Sequence, residues 1–275
     1  MDLYEYRGKT YTKQEFIQSL YPYIHPGDTL ALEIDTMRFG KIHPGLTKVT
    51  FLQTIFQIFI ELVGPKGNLI IPTFSYSWGL DSPEKHFDVQ HTPSKVGLFP
   101  EYFRQRADTI RTLDPMFSFA LWGPNKEKLS QTSNQSFGKG SLYEKLHQLN
   151  AKLVSFGLKK HDPTFIHYIE QYFHENIQPL DYRFIKEFTG TLIAYQGEPR
   201  LHNQFCFSRY LDRYTDHEFD ENKLNQDLKK ENKVITLKIG QGEISISDCQ
   251  STFQIGLAGM KRDPHYFLRK KETLI

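Results

Sequence analysis

A histidine and a glutamate three residues apart offer the clearest chemistry in this chain of 275 residues. Residues with this spacing share one face of a helix, so Glu170 can orient the ring of His167 and stabilise its protonated form. A histidine held by a carboxylate is typical of a general base whose pKa lies near the working pH. The alternative is an ordinary polar pair on an exposed helix face, where the same spacing is common.

A second histidine on the same face leaves another chemistry open. His174 follows His167 by seven residues, so the two histidines and Glu170 could line up as metal ligands. The closely spaced His-x-x-x-His pair of zinc hydrolases is missing here, and neither cysteine is near this stretch. We therefore predict catalysis without a bound metal and keep a metal-dependent hydrolase as the alternative.

The residues before the pair indicate how it is held in place. Residues 153–156 form a short apolar run that stops at Gly157, which is typical of a buried strand followed by a turn. After a polar loop, Pro163 fits the first turn of a helix and Asp162 is placed to cap it. The pattern predicts a strand whose carboxyl end leads into the helix that carries both side chains.

The first third of the chain predicts a β-α-β unit. A strand at residues 29–34 precedes an apolar helix at residues 46–62, and a second strand follows at residues 69–72. Such a unit joins two parallel strands through a right-handed crossover. Polar side chains follow both strands, at the edge where open α/β sheets bind their ligands. For Glu33 and Asp35, the alternative is a pair of carboxylates at a strand edge that faces water.

The pattern changes after Pro179. Strands are predicted at residues 191–195, 234–239 and 243–246, and the last two are joined by a Gly-Gln-Gly turn typical of a hairpin. The predicted fold class is α/β: a three-layer α/β/α sandwich with a mostly parallel central sheet and an antiparallel C-terminal part. We predict that residues 1–275 form a single domain.

Composition excludes several classes of function. The formal net charge of +2 gives no argument for a nucleic-acid partner. The 2 cysteines have no CxxC spacing, which suits a reducing compartment. The polar N-terminus lacks the apolar stretch of a signal peptide, and no apolar run approaches the length of a membrane span. We therefore expect a cytoplasmic protein without a nucleic-acid or membrane partner.

Six groups of residues share their order and spacing with one known family. They are Pro26-Gly27-Asp28-Thr29; Gly64-Pro65-x-Gly67 with Pro72-Thr73-Phe74-Ser75; Phe87-Asp88 with Thr92-Pro93-Ser94-x-x-Gly97; Arg111-Thr112 with Pro115 and Ser118; Phe137-Gly138 with Ser141; and Thr164-x-x-His167-x-x-Glu170. Each group alone is a weak signal, but they keep one order between residues 26 and 170, and the match as a whole covers about residues 10 to 265. In this order they resemble the aminoglycoside 3-N-acetyltransferase family.

The resemblance implies acyl transfer from acetyl-coenzyme A, or another acyl-coenzyme A, to an amine. His167 would be the base and Glu170 its support. The chemistry agrees, because an alkylamine is mostly protonated near pH 7 and cannot attack a thioester until a base removes a proton. A tetrahedral oxyanion then needs hydrogen-bond donors, for which the hydroxyl of Thr164 is a candidate. A non-catalytic protein that binds a sugar or a cofactor is a further alternative.

Residues at the predicted strand ends and loops are candidates for the two ligands. Phosphates of the cofactor need N–H groups, hydroxyls or cations, and carboxylates suit a cationic amine. The candidates for the cofactor are Thr36, Arg38, Ser94 and Gly97. The candidates for the amine are Glu33, Asp35, Thr73, Ser75, Asp88 and Asp114.

The chain departs from the family pattern where histidines are usual. The first strand of the family commonly ends in Val-His-Ser-Ser, and a later segment reads Arg-Ser-x-His-Pro-x-His-Ser. Here the positions of those histidines are held by Glu33, Asp114 and Phe117. Such changes favour a branch that modifies amino sugars for surface polysaccharides over one that confers antibiotic resistance. The expected partner is a small-molecule amine, either an amino sugar or a sugar nucleotide, and a homodimer is a further expectation.

Overall fold

A seven-stranded sheet separates two hydrophobic cores in the computed structural model, which describes residues 1–79, 82–158 and 164–271. The helices in these ranges are α1 (Lys13–Leu20), α2 (Lys48–Val63), α3 (Leu98–Arg104), α4 (Lys126–Ser130), α5 (Leu142–Gln148), α6 (Ile166–Asn176), α7 (Asn222–Lys230) and α8 (Cys249–Arg262). The strands are β1 (Asp2–Tyr6), β2 (Lys9–Thr12), β3 (Thr29–Ile34), β4 (Lys41–Ile42), β5 (Asn68–Pro72), β6 (His86–Asp88), β7 (Ile110–Arg111), β8 (Phe119–Trp122), β9 (Lys152–Phe156), β10 (Arg183–Ile193), β11 (Arg200–Arg209), β12 (His217–Phe219), β13 (Val234–Ile239), β14 (Gly242–Asp248) and β15 (Leu268–Lys270).

The large sheet has the order β13-β14-β9-β3-β5-β8-β7. Strand β3 pairs in parallel with both β9 and β5, so the predicted β-α-β unit is confirmed as β3-α2-β5. The other neighbours in this sheet are antiparallel, because β7–β8 and β13–β14 are hairpins that run back against β5 and β9. The α/β class and the antiparallel C-terminal part are confirmed, but the sheet is mixed and only its centre is parallel.

Alternating side chains of the central strands supply both cores, as the pleat of a strand requires. Leu30 and Leu32 of β3 pack with α1 and α2 on one face, whereas Ala31 packs with α5, α6 and α8 on the other. The core that contains Leu30 and Leu32 is rich in aromatic rings, and the ring centroids of Phe39 and Phe156 are only 4.4 Å apart. Burial of such a side chain contributes about 1.5–3 kcal/mol. The sheet therefore has helices on both faces, in three layers.

A separate antiparallel hairpin, β10–β11, carries β6 on one edge. The sequence predicted only the end of β10 and none of β11, since their side chains are half exposed on both faces and the alternation is weak. Helix α6 begins at Ile166, and the predicted capping residues Asp162 and Pro163 lie outside the described residues. Within the described ranges, no helix is long and apolar enough to cross a membrane.

The carboxyl ends of β3 and β9 meet at a close approach of their backbones. The N–H of Asp35 donates to the carbonyl of Phe156 at 2.9 Å. A Cβ placed on Gly157 would lie 2.1 Å from the carbonyl oxygen of Asp35, and the φ of Gly157 is +81°. Residues with a side chain rarely adopt this backbone conformation. Glycine is therefore required here both for its φ and for the close approach of the Asp35 carbonyl. Gly157 thus fixes the two strand ends relative to each other.

We expect Gly157→Ala to lower the free energy of unfolding by about 3 kcal/mol, because the new methyl group meets the backbone of Asp35 and strains φ. Gly27→Ala is the matched control, since Gly27 has a φ of +93° but a Cβ there has nothing within 4 Å. It should cost about 1 kcal/mol through backbone conformation alone. Urea denaturation followed by circular dichroism measures both changes, and equal losses would contradict the steric explanation.

Candidate active site

Helix α6 brings His167 and Glu170 together within its first two turns. Nδ1 of His167 lies 2.7 Å from Oε2 of Glu170, so the predicted contact between the two side chains is formed. The glutamate is fully buried, whereas 22% of the histidine side chain is exposed. The pair is therefore not the solvated helix-surface pair that the sequence left as the alternative.

The carboxylate of Glu170 is held by two further residues that the sequence did not indicate. Its Oε1 accepts hydrogen bonds from Nε of Arg183 at 2.9 Å and from the hydroxyl of Tyr182 at 3.0 Å. Burial alone raises the pKa of the Glu170 carboxyl, but Arg183, His167 and Tyr182 outweigh it and hold the pKa below its ordinary value. Glu170 is therefore ionised at neutral pH despite its complete burial.

The same arginine also acts on the imidazole. Burial lowers the pKa of His167, and the Arg183 guanidinium, with Nη2 3.2 Å from Nδ1, lowers it further. The hydrogen bond and charge of Glu170 oppose this without reversing it. Because the carboxylate accepts from Nδ1–H, the lone pair of the neutral ring is on Nε2. The arrangement gives a neutral imidazole that can accept a proton at neutral pH.

His167 lines a cavity of about 590 Å³ between α6 and the β10–β11 hairpin, which we call the His167 cavity. The ring of Phe137 meets the imidazole edge-on at 5.3 Å, and Phe219 lies 5.2 Å away. Phe117 and Phe207 complete the apolar wall near the histidine. These rings remove water from the imidazole and leave it in contact with a space large enough for a small molecule.

A second depression lies at the carboxyl ends of the central strands, and we call it the strand-end groove. Its inner part, about 210 Å³, is lined by Glu33, Tyr76 and Thr164 among others. Leu158 lines this part and also a neighbouring space of about 500 Å³ that Arg38 borders. The backbone N–H of Thr164 donates to Oε1 of Glu33 at 2.8 Å, which connects the groove to the start of α6.

The groove and the cavity approach each other beside His167 and Glu170. Thr164 lines the groove and His167, three residues later, lines the cavity. Between them lies the ring of Phe117, which is 5.7 Å from Tyr76 on the groove side and 4.7 Å from Phe137 on the cavity side. Phe117 therefore forms part of an aromatic wall between the two spaces.

Several residues predicted from the sequence lie at the strand-end groove. Glu33 and Thr164 line it directly, and Arg38 borders its outer part. Gly97 lies between Val96 and Pro100, which both line the inner part. Asp35 does not line it; its carboxylate accepts from Nε of Arg38 at 2.8 Å and so orients that cation.

Four other predicted residues point into the protein or into their own loops. Thr36, Thr73 and Ser75 are almost completely buried, and the hydroxyls of Thr73 and Ser75 donate to backbone carbonyls. Ser94 shapes its loop, since its N–H donates to Glu101 and its hydroxyl accepts from the N–H of Val96. The structure therefore places these side chains within the framework, where the sequence had suggested contact with a ligand.

The two remaining carboxylates also serve their own turns. Asp114 is buried and accepts the N–H groups of Met116 and Phe117 at 2.8 and 2.9 Å. Asp88 accepts two backbone N–H groups of the following turn and contacts the ring of His91 at 2.9 Å. Both were predicted to bind the amine, and in the structure both accept hydrogen bonds within their own turns.

His167, Glu170 and His174, which the sequence left open as metal ligands, do not converge on one point in the structure. Nδ1 of His174 accepts a hydrogen bond from the N–H of Leu180 at 2.9 Å, so this ring closes the end of its own helix. Among the described residues, no group of three His, Cys, Asp or Glu side chains is placed to hold a metal ion.

Comparison with known proteins identifies a family and a fold for this chain. The family model described as aminoglycoside 3-N-acetyltransferase matches residues 37–261. The fold is similar to that of the aminoglycoside acetyltransferase AAC(3)-IVa apoenzyme (TM-score 0.70, 19% identity, 96% of this chain and 92% of that chain). It is also similar to AAC-VIa bound to sisomicin (0.74, 19%, 92% and 98%) and to AAC-IIIb bound to CoASH (0.74, 18%, 92% and 97%). At these identities the structures show a common fold.

The position of Arg183 predicts the titration of the histidine. In the unmodified protein the ring of His167 should titrate below pH 6.5, because burial and Arg183 lower its pKa. Arg183→Met should raise the midpoint, since it removes a neighbouring cation and leaves Glu170 opposed by less positive charge. NMR titration of the ring protons, assigned with His167→Gln, measures the shift. Arg183→Lys keeps the charge and should move the midpoint less; a midpoint unchanged in Arg183→Met would contradict this account.

Proposed function

Because the chain belongs to the aminoglycoside 3-N-acetyltransferase family, whose members are acyltransferases that use acetyl-coenzyme A, we propose that it acetylates a primary amine of an amino sugar. The observation that carries the proposal is the imidazole of His167, which borders a cavity and has its Nδ1 fixed by a buried carboxylate. Aminoglycosides belong to this class of acceptor, as do simple and nucleotide-linked amino sugars.

His167 is proposed to act as the general base. A bound ammonium group first releases one proton to solvent, since only the neutral amine is nucleophilic. As the nitrogen bonds to the carbonyl carbon of the thioester, Nε2 accepts the second proton. The carbon–sulfur bond then breaks with its electron pair on sulfur, and the imidazolium returns the proton to the thiolate. The products are an amide and free coenzyme A.

Glu170 and Thr164 are proposed to support this reaction at two different charges. Glu170 stabilises the imidazolium that forms during attack, because its carboxylate remains ionised 2.7 Å from Nδ1. The backbone N–H of Thr164 is already bound to Glu33, so its hydroxyl is the group proposed to donate to the oxyanion. In both proposed roles, a polar group lies where charge develops during the reaction.

The strand-end groove is proposed to bind acetyl-coenzyme A. Its inner part is narrow and largely apolar, with Ile34, Phe74 and Val96 in its lining, which suits the pantetheine arm. Its outer part is bordered by Arg38 and Lys238, which suits phosphates. The thioester would then arrive beside Thr164, within one helical turn of the proposed base.

Replacement of the base should abolish transfer without loss of the fold. His167→Ala is expected to lower the rate of thiol release from acetyl-coenzyme A by at least about 100-fold, the usual contribution of a general base. His174→Ala is the matched control on the same helix, since His174 bonds to the backbone of Leu180 outside the cavity lining. It should keep most of the activity.

Four outcomes would separate the alternatives. Near-normal turnover of His167→Ala would refute the proposed base. Thiol release that needs no amine would indicate hydrolysis, and metal in stoichiometric amounts in the purified protein would support a metal-dependent hydrolase. The absence of thiol release across a panel of amines would favour a protein that binds but does not react.

The proposed phosphate contact can be tested with a shortened donor. Arg38→Gln should raise the KM for acetyl-coenzyme A by about fivefold, because one charge-assisted contact to phosphate is lost. The KM for acetyl-pantetheine, which has no phosphate, should change little in the same variant. An equal increase for both donors would mean that Arg38 supports the groove and does not bind phosphate.

A further inference from the structure

We infer that the His167 cavity selects an amino sugar that carries a negative charge, such as a phosphorylated or nucleotide-linked amino sugar, over a polycationic aminoglycoside. This inference rests on the proposed function and names the acceptor class for the same site. It is carried by the charges that line the cavity and by the contacts that hold them.

Positive side chains predominate in the cavity lining. Lys186, Arg183 and Arg209 line it, and Asp212 is the carboxylate on its exposed side. Arg183 is engaged with Glu170 and with the carbonyl of Phe207 at 3.2 Å, so its charge is largely compensated. The two other cations therefore determine the potential that an acceptor meets.

Lys186 and Arg209 are held in place by neutral groups. Nη2 of Arg209 donates to the carbonyls of Tyr214 and His217 at 2.6 and 2.9 Å. Nζ of Lys186 lies 4.8 Å from the centroid of the Phe188 ring. Carbonyls and an aromatic face orient a cation but carry no net charge to cancel it. Both side chains thus present positive charge to the cavity from fixed positions.

The carboxylates that would suit a polycation are located elsewhere. Glu33 binds the N–H of Thr164 at the strand-end groove, and Asp35 binds Arg38. Asp88 and Asp114 stabilise their own turns. Asp212 therefore has to compensate every additional ammonium group of an aminoglycoside in the cavity, beside two cations that repel them.

The hairpin also offers a flat apolar surface for a sugar ring or a base. Phe184 and Lys186 occur at alternate positions of β10 and therefore share one face. Phe184 stacks on Tyr210 at 4.4 Å with an angle of 27°, and the guanidinium of Arg213 lies 3.9 Å over the same tyrosine ring. Both aromatic residues line the cavity. An acceptor with its amine at His167 can place a ring against this pair and a phosphate near Lys186.

The test compares acceptors that differ in charge. The probes are glucosamine, glucosamine 6-phosphate, uridine-diphosphate-linked glucosamine and sisomicin, each with acetyl-coenzyme A and thiol release as the readout. We expect kcat/KM for at least one phosphorylated acceptor to exceed that for glucosamine by about tenfold at low salt, and this advantage should shrink at high salt. The two phosphorylated probes distinguish a sugar phosphate from a sugar nucleotide.

Charge removal in the hairpin provides the matched variants. Lys186→Gln should lower the ratio of kcat/KM for the preferred phosphorylated acceptor to that for glucosamine by about tenfold, and Lys186→Arg should restore it. Arg200→Gln removes a cation from the exposed far end of the same hairpin and should leave the ratio unchanged. A ratio unaffected by Lys186→Gln would overturn the assignment of this residue and the inference.

Calorimetric titration with the same probes separates failure of the inference from failure of the proposed function. Preferred acetylation of sisomicin would overturn the inference and leave acyl transfer intact. If no amine yields thiol release but glucosamine 6-phosphate binds more tightly than glucosamine, and Lys186→Gln removes that difference, the inference stands and the proposed transfer fails. Neither thiol release nor charge-selective binding would overturn both.

Discussion

The buried carboxylate of Glu170 is the interaction on which the candidate site depends. Taking a carboxylate out of water costs several kcal/mol unless hydrogen bonds and an opposite charge replace the lost solvation. Here His167, Tyr182 and Arg183 provide them together. His167 belongs to α6, Arg183 is the first residue of β10, and Tyr182 precedes it. Separation of the helix from the hairpin would leave the buried carboxylate unpaired, so these contacts hold the two elements together.

Arg183 makes this arrangement more than a histidine held by a carboxylate. A glutamate alone would raise the pKa of the imidazole and would increase the protonated fraction at neutral pH. The guanidinium beside Nδ1 opposes that effect, keeps Glu170 ionised and leaves the ring neutral. Glu170 can then stabilise an imidazolium that forms during a reaction, although His167 is mostly neutral at rest. The three side chains together are thus suited to a base that cycles between its neutral and protonated forms.

The features that the sequence predicted correctly are local or repeat with a short period. The contact between His167 and Glu170 follows from the helical repeat, and the β3-α2-β5 unit follows from apolar runs of suitable length. Arg183 lies 13 residues after Glu170 in a different element, a distance to which no spacing rule applies. The antiparallel insertion of β8 beside β5 likewise depends on tertiary pairing that no local pattern specifies.

Several side chains that were predicted to contact a ligand form hydrogen bonds within the protein, and one physical reason explains them. A carboxylate or hydroxyl after a strand can bind a ligand or can satisfy the backbone N–H and carbonyl groups of its own loop, and the sequence pattern is the same for both. Asp114 and Asp88 satisfy their loops. The hairpin residues that line the His167 cavity were missed because both faces of β10 and β11 are partly exposed, which weakens the alternation.

The positions at which this chain departs from the family pattern converge on the junction between groove and cavity. Glu33 binds the backbone of Thr164 just before α6, and Asp114 fixes the turn that holds Phe117. Phe117 in turn contacts aromatic rings on both sides of the wall. Where the family commonly has ionisable rings, this chain has one apolar wall and two carboxylates engaged with backbone groups. In the proposed reaction, proton transfer beside that wall is therefore assigned to His167, and the inferred charge preference of the cavity is assigned to the cations of the hairpin.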